Sequence, residues 1–318
     1  MAQLPSIRSL LNVFVASTIL GLSSHAMAQA PAKTPVRAAY VPVVTWLPAM
    51  VAKDTGIFER HGLDVNLPLI QNLGLLPGTL GKQFDIVPST PPDLINAAAK
   101  GLDVVAVSGG FIESSAHRFI EIIVRKDSGI KGPQDLKGKV VGSPALGSLM
   151  HIATLYWLKK NGVDPGSIQA VEVPFPNMPD QLKAKRLDAV EALEPFVTPM
   201  LAAGNVTIGD PILTIADPSH GTLWIANGAW ARGNPAVIKS WNASLTEAAD
   251  YIKKNPDQSR AILGKYTKLP DPVVKTIPIP PYDTVLKAKS LEPWINALID
   301  LGQLTKPIKA ESLVVEAN

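Results

Sequence analysis

Short apolar runs alternate with helical patterns along this chain, and the alternation restarts near the middle. The first strand-like runs lie at residues 36–41, 63–67, 84–87, 104–107 and 119–125. The pattern begins again at 139–142, and a long helical stretch follows at 145–161. Strands that alternate with helices predict an α/β fold, with a parallel sheet that is covered on both faces. The restart predicts two such units.

The chain returns to the first unit after the second. Later strand-like runs lie at 170–173, 189–192 and 206–208, and residues 223–230 are predicted as the strand that leaves the second unit. The remainder is mainly helical. We therefore expect one lobe from residues 34–110 and 223–318 and another from 111–222, with linkers near 110–118 and 217–222. A ligand cleft would lie between the lobes.

The first residues have the three parts of a secretory signal peptide. Arg8 gives a positive start, an apolar stretch covers residues 10–22, and Ala26-Met27-Ala28 is a small-residue cleavage pattern. A membrane anchor would need about 20 apolar residues, and this stretch is shorter. We expect residues 1–28 to be a signal peptide, cleaved near Ala28, and the mature protein to be periplasmic.

Composition agrees with an exported protein that acts in solution. The chain has no cysteine, which excludes both disulfides and a lipid attached to an N-terminal cysteine. The formal charge of +3 is too small to indicate a nucleic-acid-binding face. We expect a monomer that diffuses freely in the periplasm.

Polar residues follow several of the predicted strands, where open α/β sheets bind their ligands. The candidate ligand-binding residues are Trp46, Ser89, Thr90, Ser143, Gly147, Ser148, Asn177 and Glu194. Thr90 precedes Pro91 and Asp93 in a capping-box arrangement. Ordinary helix capping is the alternative for Thr90, Ser143 and Asn177, a structural hydrogen bond for Glu194, and burial in the core for Trp46.

Motifs of enzymes and metal sites are absent from the sequence. The histidines have neither H-x-x-H nor H-E-x-x-H spacing, and no G-x-S-x-G, G-x-G-x-x-G or Walker-type loop occurs. We expect no catalytic residue, no metal and no cofactor.

Four ordered segments carry a family resemblance. They are AKDTGIFERHGLDV at 52–65, DIVPSTPP at 85–92, KDSGI with DLKGK at 126–139, and LDAV with EPF at 187–196. Together they resemble the SsuA/TauA/ThiY-type (NMT1/THI5-like) group of type II periplasmic substrate-binding proteins.

The resemblance implies a Venus-flytrap protein of the type II periplasmic binding protein fold, with two α/β lobes joined by two crossover strands. Such a protein closes around one ligand and docks on permease subunits in the inner membrane. Family members carry sulfonates, taurine, nitrate or pyrimidine precursors of thiamine. One branch is enzymatic and relies on a cysteine-rich motif, which a chain without cysteine does not have.

The expected function is therefore the solute-binding component of an ABC importer. The apolar loop at 71–78 indicates an organic solute with an apolar or aromatic body. Helix N-termini favour a carboxylate or sulfonate, whereas Glu194 favours a donor-bearing end or a pyrimidine-like ring, and the sequence leaves both open. The alternatives are a sensory protein that signals to a membrane receptor and a secreted enzyme.

Overall fold

A computed structural model describes residues 32–70 and 73–315 of the chain. The predicted signal peptide, residues 1–28, and the start of the apolar loop at 71–72 lie outside the described residues.

The strands have the following bounds: β1 (Thr34–Arg37), β2 (Leu63–Asn66), β3 (Ile86–Ser89), β4 (Val104–Gly109), β5 (Ile112–Glu113), β6 (Ile120–Val124), β7 (Val140–Ser143), β8 (Gln169–Glu172), β9 (Ala189–Leu193), β10 (Val206–Gly209), β11 (Ser219–His220) and β12 (Leu223–Asn227). The helices have these bounds: α1 (Leu47–Asp54), α2 (Ile57–Arg60), α3 (Pro91–Ala99), α4 (Leu149–Lys160), α5 (Met178–Lys183), α6 (Val197–Ala202), α7 (Ile212–Ile215), α8 (Gly228–Gly233), α9 (Pro235–Lys254), α10 (Pro256–Thr267), α11 (Asp271–Thr276) and α12 (Glu292–Asp300).

The first sheet is β3-β12-β4, with β12 in the centre and antiparallel to both neighbours. Leu223, where β12 begins, lies opposite Ser89 of β3 and Gly109 of β4. β1 and β2 pair in parallel, and Ala38 just after β1 bridges to Ile86 of β3. This arrangement places the Ser89-Thr90 junction at the edge of the sheet where β12 enters.

The second sheet has the order β10-β6-β9-β7-β8. β7 is parallel to β8 and β9, whereas β6 is antiparallel to β9 and β10. Because successive side chains of a strand point to opposite faces, Ile122 joins one buried apolar cluster and Ile123 another. Both faces of the second sheet are therefore covered.

The segments predicted as linkers lie side by side. β5 pairs antiparallel with β11, with Glu113 opposite Ser219. The backbone N–H of Phe111 donates a hydrogen bond to the hydroxyl oxygen of Thr222 at 2.8 Å. We call β5 and β11 the crossing strands, because they are where the chain passes between the sheets.

A tryptophan cluster lies in the largest apolar core. The ring of Trp224 lies edge-on to Trp46 and to Trp241, with centroids 5.1 Å apart in both pairs. Phe58 stacks on Trp241 at 5.0 Å. Edge-to-face aromatic pairs at this spacing add to the stabilisation from buried apolar area.

The two sheets are held close together by helices. α4 contacts both α3 and α12, and the chain from Lys33 onward forms one compact unit. Within the described ranges, no helix combines the length and apolar character that crossing a membrane would require.

Three details differ from the sequence-based predictions. The sheets are mixed rather than purely parallel, because β12 and β6 run against their neighbours. The strand predicted at 223–230 ends at Asn227, whose side chain accepts a hydrogen bond from the N–H of Trp230 and so starts α8. The helix predicted from residue 145 starts at Leu149, because Gly147 has a φ of +79°.

Candidate functional site

The first candidate junction is the start of α3. Thr90 has an extended backbone and Pro91 takes the first helical position, as the sequence predicts. The hydroxyl of Thr90 does not cap the helix amides. It donates instead to Oδ2 of Asp93 at 2.6 Å.

The start of α4 meets the same carboxylate. Ser148, not Ser143, occupies the position before the helix, and its hydroxyl donates to Oδ2 of Asp93 at 2.8 Å. One carboxylate oxygen therefore accepts hydrogen bonds from both helix starts. Asp93 thus links α3, which follows a strand of the first sheet, to α4, which follows a strand of the second.

The environment of Asp93 disfavours its charged form. Burial raises the pKa of the Asp93 carboxyl, and the hydrogen bonds from Thr90 and Ser148 offset part of that rise. Among the described residues, no lysine or arginine pairs with Asp93. The carboxylate is stabilised by neutral donors alone.

Gly147, which precedes α4, bonds to a side chain of that helix. Its N–H donates to Nδ1 of His151 at 2.9 Å, and burial lowers the pKa of the His151 imidazole. The imidazole is therefore neutral near pH 7. A Cβ built on Gly147 would meet no heavy atom within 4 Å, so the space beside this backbone is open.

Glu191 lies beneath α4 in the second sheet. β7 and β9 run in parallel, with Gly142 beside Val190, so Ser143 and Glu191 are the next residues along their strands. Glu191 has no exposed surface, and burial raises its pKa to about 7, with the hydroxyls of Ser143 and Thr154 nearby opposing the rise. Within the described residues, neither carboxyl oxygen has a hydrogen-bond partner of normal geometry. Burial thus disfavours the charged form of this carboxyl.

Glu194 ends the same strand segment. Its carboxylate accepts hydrogen bonds from the N–H of Thr198 at 3.3 Å and from the hydroxyl of Thr198 at 2.5 Å. Burial raises the pKa of Glu194, and these bonds lower it again. Beside it, Phe196 stacks on Phe175 with centroids 5.6 Å apart. The structural hydrogen bond that was the alternative for Glu194 is thus present.

Three of the predicted residues make no hydrogen bond to Asp93. Trp46 is buried among aromatic side chains, in the core position that was its alternative. Asn177 is exposed before the short helix α5 and makes no capping hydrogen bond. Ser89 is buried, and its hydroxyl donates to the backbone oxygen of Thr90 at 3.4 Å.

Two surface grooves lie elsewhere. One of about 560 Å³ runs along the C-terminal half of α4, past Leu155, Lys159 and Leu301. The other, of about 280 Å³, lies beside Glu292 and Lys309. In the part of the chain that the structure describes, no group of three or more His, Cys, Asp or Glu residues could hold a metal ion.

Sequence reasoning named Asp93 only as a cap, treated His151 only as a possible catalytic or metal-binding residue, and missed Glu191. The signal for Glu191 was available, because it is the charged residue inside the strand-like run Ala189–Leu193. The joint role of Thr90 and Ser148 depends on a contact between distant helices, which no local pattern encodes.

Comparison with known proteins connects this geometry to a family. The family described as NMT1/THI5 like matches residues 44–259. A putative ABC transporter periplasmic binding protein from Brachyspira hyodysenteriae is 24% identical over 251 residues, which covers 74% of this chain and 70% of the relative.

Solved structures share the fold. The periplasmic aliphatic sulphonate binding protein SsuA from Escherichia coli superposes with a TM-score of 0.75 at 20% identity, over 89% of this chain and 97% of that one. The desulfurization enzyme DSZB superposes with a TM-score of 0.61 at 14% identity, over 89% and 97% of the two chains.

The expected fold class is confirmed: this is an α/β protein of the type II periplasmic binding protein fold. The expected role as the substrate-binding component of an ABC importer is also confirmed by the relatives. The chain belongs to the NMT1/THI5-like family.

Proposed function

We propose that this protein captures a small organic solute between the starts of α3 and α4 and delivers it, in the periplasm, to the permease of an ABC importer. The observation that carries the proposal is the pair of hydrogen bonds on Asp93 from Thr90 and Ser148. These bonds join a helix of residues 34–110 to a helix of residues 111–222, which we take as parts of the two lobes.

In this proposal, the two lobes close by rotating about the crossing strands. Residues 110–118 and 217–222 are the segments through which the chain passes between the sheets, and β5 and β11 within them are only two residues long each. A hinge of this kind needs only a few residues to absorb the change in backbone angles. Contacts of the solute to both helix starts would then favour the closed form.

The proposed solute-facing group consists of the Thr90, Ser148 and Asp93 cluster and of Glu194, which comes directly after β9. The fully buried Glu191 lies inside β9. Gly147 adds open space beside its backbone. Ser143 contributes its hydroxyl near Glu191. Ser89, Asn177 and Trp46 are given supporting roles, since none of them bonds to Asp93.

Binding without catalysis is the reading that the site chemistry supports. Ser148 donates to Asp93, and the Nδ1 atom of the nearby His151 accepts from the backbone of Gly147. A serine–histidine pair would need the imidazole to accept from the serine hydroxyl, and here Nδ1 of His151 accepts from a backbone N–H while the hydroxyl of Ser148 donates to Asp93. The similarity to a desulfurization enzyme makes turnover of alkyl and aryl sulfonates a necessary control.

The proposal is tested by ligand-induced closure. A chain without native cysteine can be labelled at two introduced cysteines, Lys82→Cys and Lys126→Cys, both at exposed positions in different halves. Alkanesulfonates, aromatic carboxylates, pyrimidines and organic amines would be screened by energy transfer between the labels and by thermal shift. At about 100 times its dissociation constant, a ligand adds about 2.7 kcal/mol of stability.

We expect one chemical class to raise both the melting temperature and the transfer efficiency. Ser148→Ala should weaken that response, whereas Ser312→Ala, which changes an exposed hydroxyl bonded only to the backbone of Lys309, should not. Product formation without closure would favour an enzyme. Binding without uptake in cells that have the permease would favour a sensory protein.

A further inference from the structure

The starts of α3 and α4 meet around a carboxylate that belongs to the chain itself. Helix N-termini carry partial positive charge and usually attract anions. Here Oδ2 of Asp93 lies 2.6 Å from the hydroxyl of Thr90 and 2.8 Å from that of Ser148. The position between the two helix starts is thus filled by a carboxyl group of the chain itself.

The neighbouring backbone is also bonded. The N–H of Gly147 donates to His151, and the N–H of Ser148 donates to the backbone oxygen of Ala145 at 3.3 Å. A sulfonate or carboxylate approaching α4 would have to displace these partners in addition to approaching Asp93.

An independent observation comes from the second sheet. Glu191 has no exposed surface and, within the described residues, neither of its carboxyl oxygens has a hydrogen-bond partner of normal geometry. It lies in the middle of β9, level with Ser143 at the end of β7 and beneath the helix whose start meets Asp93. The donors near it are the hydroxyls of Ser143 and Thr154, so no cation in the described part of the chain compensates this buried carboxyl.

Apart from the neutral His151, the ionisable groups described in this part of the molecule are all acids. Asp93, Glu191 and Glu194 contribute carboxyl groups, and the only groups that bond or approach them closely are hydroxyls and one backbone N–H. No lysine or arginine of the described residues is buried. An anionic solute between the starts of α3 and α4 would meet the carboxyl group of Asp93, with no buried lysine or arginine of the described ranges to compensate it.

We propose that the solute of this site carries a protonated amine or amidine, and that Asp93 is the residue that rejects anionic solutes. The inference rests on the proposed function, since it names the class of solute that the site captures. An ammonium group donates up to three hydrogen bonds and suits a place rich in acceptors. Asp93 would accept a hydrogen bond from the solute while still accepting one from Ser148. The choice of solute and the closure of the two lobes would then depend on the same carboxylate.

The test compares probes that differ only in the sign of their charged group. Benzylammonium is paired with benzoate, and ethylammonium with ethanesulfonate, and binding is measured by calorimetry at pH 7. The proteins are the wild type, Asp93→Asn and Asp180→Asn. Asp180 is the matched control, because it is also an acid in the first turn of a helix but is exposed.

We expect at least one ammonium probe to bind the wild type about tenfold or more tightly than its anionic partner. Asp93→Asn should lower that ratio by about tenfold, a change of about 1.4 kcal/mol. It should also increase the affinity for ethanesulfonate, and Asp180→Asn should do neither. In the wild type, ammonium affinity should rise with pH as Asp93 ionises, and this dependence should be weaker in Asp93→Asn.

The possible outcomes distinguish a wrong solute class from a failure of the proposed solute capture. Tighter binding of benzoate or ethanesulfonate to the wild type would overturn the selectivity and leave solute capture standing. An unchanged probe preference in Asp93→Asn would remove Asp93 from the role. If neither sign of probe binds and no solute of the wider screen causes closure, the proposed function itself fails.

Discussion

The buried carboxyl groups of Glu113 and Asp210 interact directly beside the crossing strands. Oε1 of Glu113 accepts from the N–H of Phe119 at 2.7 Å, and Oδ1 of Asp210 accepts from the N–H of Ile212 at 2.9 Å. The second oxygen of each group has no donor among the described residues. Burial and mutual repulsion raise the pKa of Glu113, and burial raises that of Asp210. Such a pair holds one proton between its members.

The Glu113 and Asp210 pair should make the folded protein less stable as pH rises. A carboxyl whose pKa is higher in the folded than in the unfolded state destabilises the fold as pH rises above its unfolded value, here the ordinary 4.5 of a glutamate. Glu113→Gln keeps the shape and can donate to Asp210. We expect it to raise the free energy of unfolding at pH 8 by about 1–2 kcal/mol and to have little effect near pH 4.

Urea unfolding at several pH values measures this effect. Glu311→Gln, an exposed glutamate, is the control that changes the same charge without changing the pair. The charges nearest to Asp210 besides Glu113, namely Glu121 and Arg118, stay in place in both variants. A loss of stability at pH 8 in Glu113→Gln would contradict the shared proton.

Glu191 should titrate separately and at higher pH than an ordinary glutamate. Its pKa is raised to about 7 by burial, so the free energy of unfolding should fall as pH rises from about 4.5 to 7 on its account. Glu191→Gln should remove that part of the slope. Carboxyl ¹³C NMR would follow the titration directly, with exposed Glu172 of β8 as the internal reference. A midpoint near 4.5 for Glu191 would refute the assignment.

The crossing of the chain requires glycine at position 110. A Cβ built there would lie 2.4 Å from Oγ1 of Thr222 and 3.0 Å from its backbone oxygen. We expect Gly110→Ala to cost about 1–3 kcal/mol of stability. Thr222→Ala removes the first of these contacts, so the double variant should lose less than the sum of the single losses. Gly233→Ala, where nothing lies within 4 Å, should be close to neutral. Strict additivity in the cycle would show that the close approach does not exist.

Trp46 should matter for stability and not for solute affinity. Its ring packs on Trp224 in the core and is 1% exposed. Trp46→Leu should lower the free energy of unfolding by about 2–4 kcal/mol, because it leaves space beside Trp224. The affinity for a solute found by the closure screen should stay within about twofold. A tenfold weaker affinity in a variant that is still folded at the assay temperature would return Trp46 to the binding site.

Much of the fold could be predicted from local pattern. The strand-like run at 119–125 corresponds to β6. The part predicted as mainly helical contains α9, whose apolar residues Ile238, Trp241 and Leu245 recur at helical spacing. What could not be predicted is strand direction. β12 reads as an ordinary apolar run, and its place between β3 and β4 follows only from how distant segments pack.

The candidate site was less predictable for a related reason. Thr90 and Ser148 were identified from turn chemistry, which is local. The meeting of their hydroxyls on Asp93 requires α3 and α4 to touch, which is tertiary. Trp46 illustrates the opposite error, since an aromatic residue after a strand can face a cleft or the interior, and the alternation of polarity around it does not distinguish the two.

The position of β12 also constrains how the chain acquires its structure. β3 and β4 are separated in the first sheet by a strand that begins only at Leu223, and Val315 near the C-terminal end donates its N–H to Ala106 of β4. Such long-range pairings slow assembly. Ribosomes must therefore finish most of the polypeptide before this layer can be completed, so the first sheet forms only after most of the chain has been made.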